Sequence, residues 1–150
     1  MRSRCWTRVE YEKLIDPGVF QPGEPIELIG DELVIAEPQD ALHYTVVCRA
    51  AKALEAAFGG GGVVRNQGPV GLDDESDPEP DVAMVPGALE DDRSGHPSRP
   101  ALTVEVAESA PDPAARFGWG YARRDVFDAS THVSPLATPA ANILVGALLP

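Results

Sequence analysis

A chain of 150 residues with 43% hydrophobic side chains can bury one core, so a single domain is expected. Its formal charge of −12 weighs against a tight nucleic-acid binder, because neutralising phosphates drives that affinity. The charge is uneven: residues 1–110 hold 9 basic and 21 acidic side chains, and residues 111–150 hold 3 of each.

Thr7-Arg8-Val9-Glu10 is a capping box, with a hydroxyl at the N-cap and a carboxylate in the first turn. It predicts a short helix over residues 8–15, with Val9, Tyr11 and Leu14 inward and Asp16-Pro17-Gly18 closing it. Gln21-Pro22-Gly23-Glu24-Pro25 is an irregular link. Residues 26–36 predict a hairpin turning at Gly30-Asp31, where Gly in the first turn position suits type II′. Asp40 caps an alanine-rich helix over residues 41–58, with Leu42, Val46, Ala50, Ala53, Leu54 and Ala57 on its apolar face. The glycines at 59–62 end that helix. They lack the flanking strand and the Lys-Ser/Thr of a phosphate loop.

Val63–Gln67 predicts a strand, broken at Gly68-Pro69 and resumed at Val70–Leu72. Asp73–Asp77 is an acidic loop, either a solvated turn or a metal loop, though EF-hand spacing and its closing Glu are absent. Strands are expected at residues 82–85 and 101–107, with a polar loop at 90–100 between them. Pro111–Phe117 can open a short helix, which Gly118-Trp119-Gly120 opposes. Residues 128–142 are rich in Ala, Ser, Thr and Pro.

Cys5 and Cys48 have no CxxC or CxxH partner, so neither a zinc site nor a disulfide framework is indicated. Two free thiols suit a reducing cytoplasm. The arginines of Met1–Trp6 have no apolar segment behind them, so no signal peptide is expected. No apolar run reaches the roughly 18 residues of a membrane span.

Two carboxylates stand where chemistry would need them. Asp81 opens a strand. Val104 and Val106 flank Glu105, so alternation turns Glu105 to the opposite face. Adjacent strands would aim both acids at one point, and a divalent cation between them would relieve their repulsion. Glu27 also sits between apolar neighbours. It is either an exposed residue of a half-buried strand or a third acid of the site. His43, in the first turn of the second helix, is either a partly exposed polar residue or a contact to substrate phosphate.

The ordered set resembles the Uma family, which is similar to the PD-(D/E)XK nuclease superfamily. The resemblance rests on Ile26-Glu27-Leu28-Ile29-Gly30-Asp31-Glu32-Leu33, on His43 opening a helix and on Gln67 before an apolar strand. Pro80-Asp81, His96-Pro97, and Val104-Glu105-Val106 with Ser109 complete it, over roughly residues 7 to 109. It implies an α+β, restriction-endonuclease-like fold, a mixed central β-sheet flanked by helices. The incomplete core would occupy residues 1–110, and residues 111–150 would be a divergent, poorly ordered tail. It implies a metal-dependent DNA endonuclease, in which Asp81, Glu105 and Glu27 are catalytic acids and metal ligands. Mg²⁺ would be the cofactor, with Mn²⁺ able to replace it. His43 and Gln67 would bind substrate, DNA would be the partner, and a homodimer is one assembly that accommodates the charge.

The superfamily's lysine, two residues after the second acid, falls on Ala107. The family's own lysine is expected about a turn before a Tyr-Ala pair; with Tyr121-Ala122 as that pair, Arg116 is the nearest cation. Lys13 and Lys52 are the chain's lysines and lie far from the motif in sequence. After Ser109 the sequence reads as a truncated or frame-shifted ending. Poor cleavage is therefore expected, and the alternative function is a non-catalytic remnant or small protein-interaction module.

Overall fold

The computed structural model describes residues 4–15, 18–21, 23–36, 38–106, 125–136 and 139–149. In chain order the elements are α1 (Arg8–Ile15), β1 (Ile26–Ile29), β2 (Glu32–Ile35), α2 (Ala41–Phe58), β3 (Gly62–Asn66), β4 (Val82–Pro86), β5 (Leu102–Val104), β6 (His132–Val133) and β7 (Ile143–Leu144). The class is α+β, as expected. Among the described residues the strands form three small antiparallel sheets, β1–β2, β3–β4–β5 and β6–β7, where one mixed sheet was expected. A parallel neighbour needs a long crossover, usually a helix; β1–β2, β3–β4 and β4–β5 are joined by turns, loops and one 3₁₀ turn at Leu89–Asp92.

Local chemistry accounts for the element ends. Thr7 N–H donates to Glu10 Oε2 at 3.1 Å and Glu10 N–H to Thr7 Oγ1 at 3.3 Å, the reciprocal box read from the sequence. Tyr11 is the buried residue of α1, and its hydroxyl donates to Ile26 O at 2.7 Å. Val9 was expected inward and is exposed, because the tyrosine ring takes the single contact face of this short helix. The hairpin turn has φ 53° at Gly30 and φ 67° at Asp31. Positive φ at both central residues makes it type I′, not II′, and Asp tolerates that region.

Asp40 Oδ1 accepts from His43 N at 2.7 Å and starts α2, while Gly59 closes it in the left-handed region at φ 54°. The buried stripe of α2 is Val47, Ala50, Ala51 and Leu54, and Leu42 is exposed. Ala50 and Leu54 were expected on this face and Ala53 and Ala57 pack beside it, while Val47 and Ala51 join it and Leu42 does not. Alanines fill both candidate faces, so periodicity alone could not choose between them.

This stripe packs on Val82 of β4 and on Ile143, with Val104, Val106 and Val133 around them. Part of the expected tail thus enters the core: Ile143 is buried, because an apolar strand residue near the α2 stripe has a face to cover. Ala107, Arg116 and Tyr121-Ala122 lie outside the described residues. Val70–Leu72 is not a ladder strand. Val70 N–H donates to Pro78 O at 2.9 Å and Leu72 N–H to Ser76 O at 3.1 Å, folding the acidic loop back on itself. No described helix is long and apolar enough to cross a membrane.

Leu54→Ala should lower the unfolding free energy by about 2–5 kcal/mol, the usual cost of emptying a buried leucine site. A urea transition followed by circular dichroism reads this as a lower midpoint with an unchanged slope.

Candidate active site

The register of β4 builds the site. Asn66 faces Val82 across β3–β4, and Val82 faces Val104 across β4–β5. One step further, the same registers set Gln67 opposite Asp81 and Asp81 opposite Glu105. The Gln67 N–H donating to Asp81 O at 3.2 Å continues the first of these pairs. Directly opposed residues of antiparallel strands project from one face. Thr103 and Glu105, two apart, both line a cleft of about 1290 Å³ together with Asp81, Glu27 and His43.

Asp81 is 6% exposed and well provided with donors. Its Oδ1 accepts from Gln39 Nε2 at 3.2 Å and lies 3.0 Å from His43 Nε2. Its Oδ2 accepts from Val106 N at 2.8 Å. A carboxylate offers about four lone-pair positions, so one on Oδ2 is left after these contacts. The helix cap at Asp40 delivers His43 to this place, since it fixes the first turn of α2 above the end of β4. Gln67 has φ 48° and leaves the ladder; its Nε2 donates to Gln39 Oε1 at 2.5 Å. The Gln67 side chain therefore reaches the Asp81 carboxylate through Gln39.

Glu105 retains an exposed side, yet its carboxyl is pushed up from 4.5 to about 7. Loss of water around the carboxyl is the largest cause, and the Asp81 charge comes next. A backbone hydrogen bond from Asp81 pulls the other way, Glu27 adds to the rise and His43 opposes it. Glu27 Oε2 accepts from the Glu79 N–H at 3.0 Å. The Glu79 carboxyl is also raised, first by burial, then by Glu27 and Asp77.

The structure thus brings Glu27, His43, Asp81 and Glu105 to one cleft, with Gln67 tied to it through Gln39. Sequence reasoning missed Gln39 and Glu79. Nothing marks Gln39 in the sequence. Glu79 carried a signal, because Asp77, Glu79 and Asp81 alternate along one extended run. Seven carboxylates line the cleft, and no lysine or arginine does among the described residues. Carboxylates are the donors a hard cation takes, and Glu105 lies in the field of Asp81 and Glu27. Among the described residues, however, no three His, Cys, Asp or Glu side chains stand close enough to hold a metal ion. Asp81 is turned to Gln39, His43 and Val106, and Glu27 to Glu79, so the donor type fits while the ligand set is not preassembled.

A family model, Uma2, described as "Putative restriction endonuclease", matches residues 8–114. No curated protein matches the chain.

Glu105 predicts a pH dependence of stability. Its folded value lies above its unfolded one, so its contribution is fully present below about 4.5 and is lost as pH rises through about 7. Urea transitions from pH 4 to 8 should show native protein losing stability relative to Glu105→Gln across that window.

Proposed function

The chain belongs to the Uma2 family, and on that premise we propose that it is a metal-dependent endonuclease hydrolysing DNA phosphodiesters. The observation that carries this reading is that Asp81 and Glu105, each one residue beyond the Val82–Val104 pair, line a cleft shared with Glu27. Asp81, Glu105 and Glu27 would hold Mg²⁺, or Mn²⁺ in its place. Such an ion, when bound, polarises the phosphate and lowers the pKa of a water.

The chain's own residues supply the rest. Gln39 and His43 hold the Asp81 carboxylate in one orientation. Without a cation the Glu105 carboxyl is pushed up to about 7 by burial and by Asp81, and a cation beside it would favour the charged form again. His43 at the cleft wall and the exposed Gln67 at the end of the row would contact DNA phosphates. The enzyme would act in the cytoplasm, where Cys5 and Cys48 stay as free thiols. A homodimer would supply further surface to DNA.

Turnover is expected to be slow, because Ala107 stands at the superfamily's lysine position and arginine at 116 cannot serve as a base. The second reading, a non-catalytic interaction module, is favoured by the lack of lysine and arginine among the described cleft-lining residues.

Supercoiled plasmid with saturating Mn²⁺ separates the two. Slow nicking should fall by about 10²–10³ in Asp81→Ala and in Glu105→Ala, as for loss of one electrostatic contributor. A chelator should end it. A folded native chain that leaves the plasmid intact overturns the endonuclease reading and leaves the interaction module as the alternative.

A further inference from the structure

The acidic run at Asp73–Asp77 does not end in solvent. Asp77 is 0% exposed, and both of its carboxylate oxygens face His96 Nδ1, at 3.0 and 2.9 Å. A carboxylate only accepts, so Nδ1 donates and the ring is held by that bond. The His96 side chain is 34% exposed, so the pair joins a buried charge to a residue at the surface.

The two partners belong to different parts of the cleft. Asp77 N–H donates to Leu28 O at 2.8 Å, and the two residues form an isolated antiparallel bridge. Two residues on, Glu79 N–H donates to Glu27 Oε2. Residues 77–79 therefore clasp β1 at the fully buried Leu28 and at the Glu27 carboxylate. Asp31 N–H to Glu75 O at 2.9 Å and Gly30 N–H to Ser76 Oγ at 3.1 Å extend the clasp to the hairpin turn. His96 lies in the segment that enters β5, which Ala101 N–H to Met84 O at 2.8 Å registers on β4. No ladder joins the β1–β2 hairpin to the β3–β4–β5 sheet among the described residues. The hairpin carries Glu27, and the sheet carries Asp81 and Glu105 at its end.

We propose that Asp77 and His96 form a latch that positions Glu27 against the Asp81–Glu105 pair. The latch ties the clasp on β1 to the lead into β5, so the hairpin's acid and the sheet's acids keep one spacing. His96 and Asp77 are positioning residues in this role. They act on Glu27 through Glu79. The proposal rests on the reading of the three acids as one site, and it explains why a fully buried carboxylate is kept beside a loop.

The test uses ¹⁵N NMR of the full chain, native and with His96→Ala or His96→Asn. The asparagine amide places a donor near the position of Nδ1. In His96→Ala the Glu79 amide resonance should move and its hydrogen exchange should speed up by about tenfold. The amides of Val64 and Met84 in β3 and β4 should stay as they are. His96→Asn should restore the native Glu79 signal. Mn²⁺ is then added to the same samples. Native protein should show broadening at Glu27, Asp81 and Glu105. In His96→Ala the Mn²⁺ concentration that broadens Glu27 should rise about tenfold, the usual range for loss of a group that orients a ligand.

An unmoved Glu79 amide in His96→Ala overturns the latch, and so does unchanged broadening of Glu27. If native protein shows no broadening, the metal reading falls, and the Glu79 amide with its rescue still decides the latch. If His96→Ala does not fold, Asp77→Asn combined with His96→Ala removes the tie without stranding a charge. The Glu79 amide of that double variant is displaced if the latch exists and native if it does not.

Discussion

Two carboxylates in the run from Ser76 to Asp81 are taken out of water, and much of the site follows from what they then require. Asp77 is fully buried and Asp81 nearly so. A carboxylate in that position is stable only with donors, because desolvation without compensation costs several kcal/mol. Each finds a histidine from a distant part of the chain, His96 for Asp77 and His43 for Asp81. Asp81 also draws in Gln39 and the Val106 N–H. Meeting these needs brings the first turn of α2 over the end of β4. It also brings the lead into β5 against the clasp on β1. No buried side-chain N or O atom is left without a partner among the described residues.

The strand register then distributes the chemistry. Gln67, Asp81 and Glu105 each stand one residue beyond three adjacent strands, β3, β4 and β5, and the aligned register Asn66–Val82–Val104 brings them to one end of the sheet. They lie where the ladders stop. There the side chains leave the packed face and meet the cleft, while Val82 and Val104 one step back pack under α2. A short shift of either ladder would move an acid away from that end, and the apolar residues behind it would lose their cover.

Charge is the other constraint on function. A cleft lined by one sign of charge concentrates counter-ions and repels a polyanion. For a chain of net charge −12, a cleft lined by seven carboxylates attracts cations and repels polyanions. The raised Glu105 carboxyl belongs to the same balance, since a proton on it relieves part of the repulsion from Asp81 and Glu27.

Much of the local chemistry was legible in the sequence. The capping box at Thr7 and Glu10, the Asp40 cap, the extents of α1 and α2 and the strand after Asp81 all follow from short-range pattern. Each depends on residues a few positions apart or on alternation along one strand. The family was readable for the same reason, from an ordered set of short motifs. What the sequence could not decide were choices between equivalent local patterns and contacts between remote segments. The alanines of α2 fit two faces, and only packing on Val82 and Ile143 selected the stripe at Val47, Ala50, Ala51 and Leu54. The turn at Gly30-Asp31 suited II′ locally, and the I′ geometry is set with Gly30 and Asp31 bonded to Ser76 and Glu75. The Asp73–Asp77 run reads as a solvated turn or a metal loop, because nothing near it in sequence announces that His96 will meet Asp77. Gln39 has no mark until the fold places it between Gln67 and Asp81. Burial and long-range hydrogen bonding belong to the assembled chain, and only the tertiary structure could assign them.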